Sequence, residues 1–187
     1  FIETGTYCYS SDIYERNKFR STNMHNTLSI NGEEINSLDP NRIFHLEQKT
    51  EVDILDWELN NENVCFIAEH DGFKHLGLGI KHRRELRYHF KNREWFLKDQ
   101  VFTENNDSHK IILNFHVPSE VIINQDRRNI QMGNIEIKLL NSEDITIKNN
   151  KSYYSPSYGV KQLSNHITIA TASDKAVSLI IKDCNPK

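Results

Sequence analysis

Lys110-Ile-Ile-Leu-Asn-Phe-His-Val117 decides the fold class. Successive side chains of an extended chain point to opposite faces. Ile111, Leu113, Phe115 and Val117 therefore share one face, and Ile112, Asn114 and His116 share the other. The same period runs through Ile80–Phe90. There Ile80, Leu86, Tyr88 and Phe90 lie together, opposite Lys81, Arg83, Glu85, Arg87 and His89. His82 and Arg84 fall on the apolar side, where a buried Arg84 needs a carboxylate partner.

Working outward, similar short runs occupy Asn26–Asn31, Glu51–Asp56, Val64–His70, Trp95–Phe102, Val121–Asn124, Ile135–Leu140, Ile145–Lys148, His166–Thr171 and Ala176–Ile181. Turn residues separate them: Asp71-Gly72, Asn92-Arg93 and Asn105-Asn-Asp107. No segment carries a helical stripe of useful length. The expectation is an all-β antiparallel β-sandwich of roughly ten or more strands, with little or no helix. A single domain over residues 1–187 is expected.

The bulk numbers exclude several classes. A net charge of −3 and a pI near 6.3 give no reason to expect a nucleic-acid partner. No apolar run is long enough for a membrane span. Mean hydropathy is −0.66, which polar strand faces can produce, and the 10% aromatic content argues against disorder. Cys8, Cys65 and Cys184 are too widely spaced for a disulfide framework or a zinc ribbon, and Cys65 is expected to be a buried small hydrophobe. The chain starts at Phe1 rather than Met, so it is expected to be part of something longer.

The residues that can carry chemistry are scattered. None of the nine histidines shows local metal-ligand spacing. His25 lies among Arg20-Ser-Thr22 and Asn26-Thr27, short polar groups that can fix an imidazole. It suits either a ligand role or a capped strand start. Glu3, before Thr4-Gly-Thr6, suits a ligand or a turn. The run Lys81-His-Arg-Arg-Glu-Leu-Arg87 suits a solvated strand face or a guanidinium surface for acidic sugars. Tyr7, Tyr9, Tyr14, Trp57, Trp95, Tyr153, Tyr154 and Tyr158 include rings that can stack on sugars. Most of them, Trp95 especially, are expected in the core.

Taken together, Glu3-Thr-Gly-Thr-Tyr-Cys-Tyr9, Arg20-Ser-Thr-Asn-Met-His-Asn-Thr27 and Leu28-Ser-Ile-Asn-Gly32 resemble the heparinase II/III-like family of bacterial polysaccharide lyases, in its C-terminal β-sandwich. Ala68-Glu-His-Asp-Gly-Phe73, His82-Arg-Arg84 and Tyr154-Ser-Pro-Ser-Tyr-Gly159 add weaker matches. The resemblance implies a parent that cleaves acidic, uronate-bearing polysaccharides by β-elimination, in a groove between an upstream α/α toroid and the sandwich. It places the parent in a bacterial periplasm or cell envelope. It implies a zinc site that uses Glu3, where the family usually has Asp, and His25, with a third ligand upstream of Phe1. Zinc is expected in the full-length protein; two ligands do not make a stable site in this chain by itself. Tyr7, Tyr9, Arg20 and His70 are the candidate substrate contacts. No catalytic residue is assigned within the chain, which is expected to be inactive alone. The alternatives are a non-catalytic carbohydrate-binding or structural domain of a protein linked to capsule or lipopolysaccharide metabolism, and an unrelated adhesin-like sandwich.

Overall fold

The computed structural model describes residues 1–77, 79–104, 108–118, 123–126 (backbone only), 128–140, 144–172 and 176–184. The chain is all-β, of the antiparallel β-sandwich class, as the alternation predicts. It divides into two compact units, one formed by residues 1–49, 110–120 and 146–170, the other by 50–109, 121–145 and 171–187.

The first unit holds a four-stranded sheet. Its order is β1 (Leu28–Ile30), β6 (Lys110–Pro118), β11 (Val160–Ala172) and β10 (Thr146–Ser157). Ile111, Leu113, Phe115 and Val117 of β6 are buried, as expected for one face. Asn114 and His116 on the opposite face are buried too. Residues ahead of β1 take one hydrogen bond from each. Asn114 Nδ2 donates to Thr27 O at 3.0 Å, and His116 Nε2 lies 2.9 Å from Asn23 O. A backbone carbonyl only accepts, so Nε2 carries the proton.

This unit also contains a helix that the sequence reading misses, α1 (Ile13–Arg20). It is short and polar, so it carries no apolar stripe. Its signal lay in the cap, since Asp12 Oδ1 accepts from Glu15 N at 3.0 Å. A 3₁₀ turn follows at Thr22–Met24.

The second unit holds an eight-stranded sheet, in the order β2 (Val52–Leu59), β3 (Asn63–His70), β4 (Lys81–His89), β5 (Glu94–Phe102), β12 (Val177–Asp183), β9 (Ile135–Leu139), β8 (Asn129–Met132) and β7 (Ile123–Asp126). Strand β8 was not expected. The turn at Asn92-Arg93 joins β4 to β5 as expected, whereas the turn at 105–107 and the start of the 121–124 run lie outside the described residues. Cys65 is buried, as anticipated. Trp95 is not a core residue; it stays 45% exposed near the start of β5, where its cross-strand partners Tyr88 and Ile181 are only partly buried themselves.

The carboxylate that Arg84 requires is Asp99, its direct cross-strand partner and fully buried. Arg84 binds it in a fork, Nε to Oδ1 at 2.8 Å and Nη2 to Oδ2 at 3.0 Å. His82 Nε2 lies 2.6 Å from the same Oδ1, and His82 Nδ1 lies 3.0 Å from His70 Nε2. The Gly72 N–H donates to His70 Nδ1 at 3.1 Å. That backbone donor fixes the whole chain of protons: His70 donates to His82, and His82 donates to Asp99. Burial alone would raise the Asp99 pKa, but the Arg84 charge and the His82 hydrogen bond outweigh it and bring it to about 2. Burial, helped by His82, lowers His70 to about 4.

On the opposite face Glu69 accepts from Lys81 Nζ at 2.7 Å and from Arg83 Nη2 at 2.7 Å, and Arg87 pairs with Glu85 at 2.9 Å. The basic run of β4 is thus paired internally and is not an open guanidinium surface. Replacing Asp99 leaves Arg84 and His82 facing an empty partner. Asp99→Ala is expected to cost about 3–5 kcal/mol in urea denaturation. A loss below about 1 kcal/mol would contradict the anchoring role.

Candidate functional site

The site is built on the N-terminal segment, which has no strand of its own. Much of its backbone is satisfied by the end of β10 and the turn that follows it. Ser155 N donates to Thr4 O, and Gly159 N donates to Tyr7 O, each at 2.7 Å. Thr4 Oγ1 donates to Met24 O at 2.7 Å and is buried with it. Gly5 explains itself twice: its φ is 71°, and a Cβ there would lie 2.3 Å from the Ser155 carbonyl oxygen.

Two of the predicted residues meet. Glu3 Oε2 lies 3.1 Å from His25 Nδ1, and Asn26 Nδ2 donates to Glu3 Oε1 at 2.9 Å. Partial burial pushes the Glu3 carboxyl up, but the hydrogen bonds from His25 and Asn26 prevail and hold it below its ordinary value. Both side chains are open to solvent. Carboxylate and imidazole are donor types that zinc takes, so the pair fits in kind. Among the described residues no group of three or more His, Cys, Asp or Glu side chains converges on one point.

Behind this pair lies a second imidazole pair, which the sequence did not reveal. His116 and His166 stack with centroids 4.5 Å apart and planes 12° apart. His166 Nε2 lies 2.9 Å from Asn114 Oδ1, while His116 Nδ1 is buried with no hydrogen-bond partner among the described residues. Burial lowers the pKa of both, His166 to about 4 with help from His116.

The aromatic candidates form a surface with cations. Tyr9 stacks on Tyr158 at 5.2 Å, and both rings are more than half exposed, at 52% and 58%. Arg16 from α1 sits 5.4 Å from the Tyr9 ring. Lys161 sits 4.5 Å from the Tyr7 ring and 5.7 Å from Tyr153, and pairs with Glu15 at 2.9 Å. Arg16, Lys161, Tyr153 and Tyr158 complete what Tyr7 and Tyr9 begin. Tyr153 and Tyr158 are among the rings that the sequence singles out, whereas Arg16 and Lys161 carry no local signal. Arg20 is turned to other work: it donates to Ile43 O at 2.7 Å and His45 O at 2.8 Å, so it fastens the loop after β1. His70 lies in the second unit, within the Asp99 network.

The C-terminal domain of heparinase II/III-like proteins matches residues 1–182. This chain belongs to that family. Among solved structures, heparan sulfate lyase HepC from Pedobacter heparinus is similar, with a TM-score of 0.77 at 13% identity over 96% of this chain and 28% of its own. The heparinase III BT4657 gene product gives a TM-score of 0.75 at 18% identity, over 97% of this chain and 27% of its own. At these identities the likeness shows the fold. The heparinase II/III-like chain spans a little over a quarter of the length of either lyase. No curated protein matches it. Among the described residues no helix is long and apolar enough to cross a membrane.

The imidazole stack has a measurable consequence. An unfolded histidine takes a proton near 6.5, whereas folded His166 resists until about 4. The unfolded state therefore binds more protons within that window, and stability falls as pH drops through it. The thermal midpoint is expected to decline from about pH 7 to about pH 4, less steeply in His166→Gln than in the unaltered chain. Equal slopes would exclude the stack as a source.

Proposed function

We propose that this domain walls the substrate groove of a polysaccharide lyase that cleaves an acidic, uronate-bearing glycan by β-elimination. The observation that carries this reading is the solvent-open surface on which Tyr7, Tyr9 and Tyr158 lie beside Arg16 and Lys161. Tyrosine faces stack on the C–H faces of sugar rings, and the Arg16 guanidinium beside Tyr9 matches a carboxylate or sulfate group; Lys161 adds positive charge from its pair with Glu15. The names of the similar structures, a heparan sulfate lyase and a heparinase III, support the same substrate class.

The abstraction of the sugar proton and the protonation of the leaving oxygen are assigned to the longer enzyme, from an upstream α/α toroid. This domain contributes binding, orientation and charge neutralisation at one wall. Glu3 and His25 would hold two positions of a zinc site completed from outside this chain. When bound, zinc would tie the N-terminal segment to the His25 turn.

Isothermal titration with oligosaccharides of heparan sulfate, hyaluronan, alginate and chondroitin tests the reading. At least one is expected to bind in a salt-sensitive way, with Tyr9→Ala and Lys161→Ala each weakening it by about tenfold. Absence of binding across the panel would sink the glycan role. Binding together with no unsaturated-uronate absorbance from a longer, toroid-bearing protein would favour a non-catalytic carbohydrate-binding domain. Metal analysis of that protein is expected to find zinc that His25→Ala removes.

A further inference from the structure

Helix α1 carries two guanidinium groups one turn apart, Arg16 and Arg20, and among the described residues neither has a carboxylate partner. Like charges at this spacing repel. Burial, then the Arg16 charge, lowers the Arg20 pKa. The acids of the helix and of the loop it holds are engaged elsewhere. Asp12 caps α1, and Glu15 pairs with Lys161 and Lys18. Asp39 accepts from Asn41 N, and Glu47 pairs with Arg42 and Lys49.

The two arginines divide the work. Arg20 donates through Nη1 to Ile43 O at 2.7 Å and through Nη2 to His45 O at 2.8 Å, while Asn17 Nδ2 reaches Leu38 O at 3.1 Å. These bonds strap residues 38–45 onto the helix. Arg16 adds to the strap only through Nε, 3.5 Å from Ile43 O, the outer limit of a hydrogen bond. Its Nη1 and Nη2 have no acceptor among the described residues. An arginine whose sole task was to pin the loop would spend its fork there, as Arg20 does.

Aromatic faces hold Arg16 instead. Its Cζ lies 5.4 Å from the centroid of Tyr9 and 5.7 Å from that of Phe44. A guanidinium stacks flat on a ring, so the rings fix its plane and leave its edge open. An ammonium has no plane to fix. Phe44 is 72% exposed and follows Ile43, whose carbonyl both arginines reach. So exposed a ring gains little from burial, and what the strap achieves is to bring it to Arg16.

We propose that Arg16, set by Tyr9 and Phe44, is an oxyanion-binding site that takes one sulfate or carboxylate group edge-on through Nη1 and Nη2. Two parallel N–H donors match two oxygens of such a group. Phe44 is the positioning residue, and the strap of residues 38–45 delivers it. That a glycan carries the oxyanion rests on the proposed function, and the site then selects acidic sugars over neutral ones. That Arg16 holds an oxyanion does not rest on it.

The Arg16 Nε–Hε resonance, identified as the one missing from Arg16→Lys, is followed in isotope-labelled protein while sodium sulfate replaces sodium chloride at constant ionic strength. A saturable shift is expected. Phe44→Leu is expected to weaken sulfate by about fivefold and Phe44→Tyr to restore it. A Phe44 that only packs the loop would lower the thermal midpoint and leave sulfate affinity untouched, and that outcome overturns its assignment. Absence of a shift overturns the site. Titration calorimetry then compares a heparan sulfate hexasaccharide with its desulfated and its carboxyl-reduced forms. Removal of one of the two groups is expected to weaken binding about tenfold in the unaltered chain and not at all in Arg16→Gln; the form that loses affinity names the group. Equal losses in both proteins overturn the selectivity. Sulfate held at Arg16 with no oligosaccharide bound sustains the site and sinks the glycan reading. Oligosaccharide bound with no sulfate response at Arg16 does the reverse.

Discussion

Everything at the candidate site depends on a close approach of two backbones. The segment that carries Glu3, Tyr7 and Tyr9 belongs to no regular strand, so its carbonyls must find donors elsewhere. Ser155, near the end of β10, and Gly159, in the turn after it, supply them. The approach is close enough that only a residue without Cβ fits at Gly5. This one constraint places the carboxylate of Glu3 against His25 and lays Tyr9 on Tyr158. The two motifs are far apart in sequence, yet each is incomplete without the other.

The second unit is organised by a different device. A buried ion pair, Arg84 with Asp99, in the middle of an apolar sheet face is a costly choice, because desolvation opposes each ion. It is tolerated here because the hydrogen-bonding capacity is used along a defined path, from Gly72 through His70 and His82 to Asp99 and Arg84. Such a path allows one strand register only, since a one-residue slip would send each of these side chains to the other face. The network links β3, β4 and β5 laterally at the point where the chain leaves β3 for the turn at Gly72.

The strands that bury one clean apolar row were legible from sequence, β6 above all. So was the need of Arg84 for a carboxylate, although nothing local named Asp99. The long hairpin of β10 and β11 was legible only in part. Asn149, Asn150 and Lys151 are exposed on both faces there, and a strand wet on both sides has no alternation to read. Helix α1 was hidden for the parallel reason: eight residues burying little besides Phe19 leave no stripe, and only the Asp12 cap betrays it. The Glu3–His25 contact was foreshadowed by motif resemblance. Arg16 and Lys161 were not, because one comes from the helix and the other from the hairpin, and only folding sets them on Tyr9 and Tyr7. The expectation for Trp95 failed because strand spacing reports which face a side chain takes, and not whether that face is covered.

The edge strand β2 shows how a sheet can keep an unpaired margin without becoming adhesive to its own kind. Val52, Ile54, Trp57 and Leu59 share one side of it, and Asp53, Asp56 and Glu58 share the other, with a bulge between Ile54 and Asp56 keeping the two rows in phase. Two copies meeting antiparallel along this margin would set carboxylates against carboxylates, so the acidic row vetoes the pairing that the apolar row invites. That veto is electrostatic and therefore conditional. Protonating the row or screening it with concentrated salt removes the repulsion and leaves the apolar side unopposed.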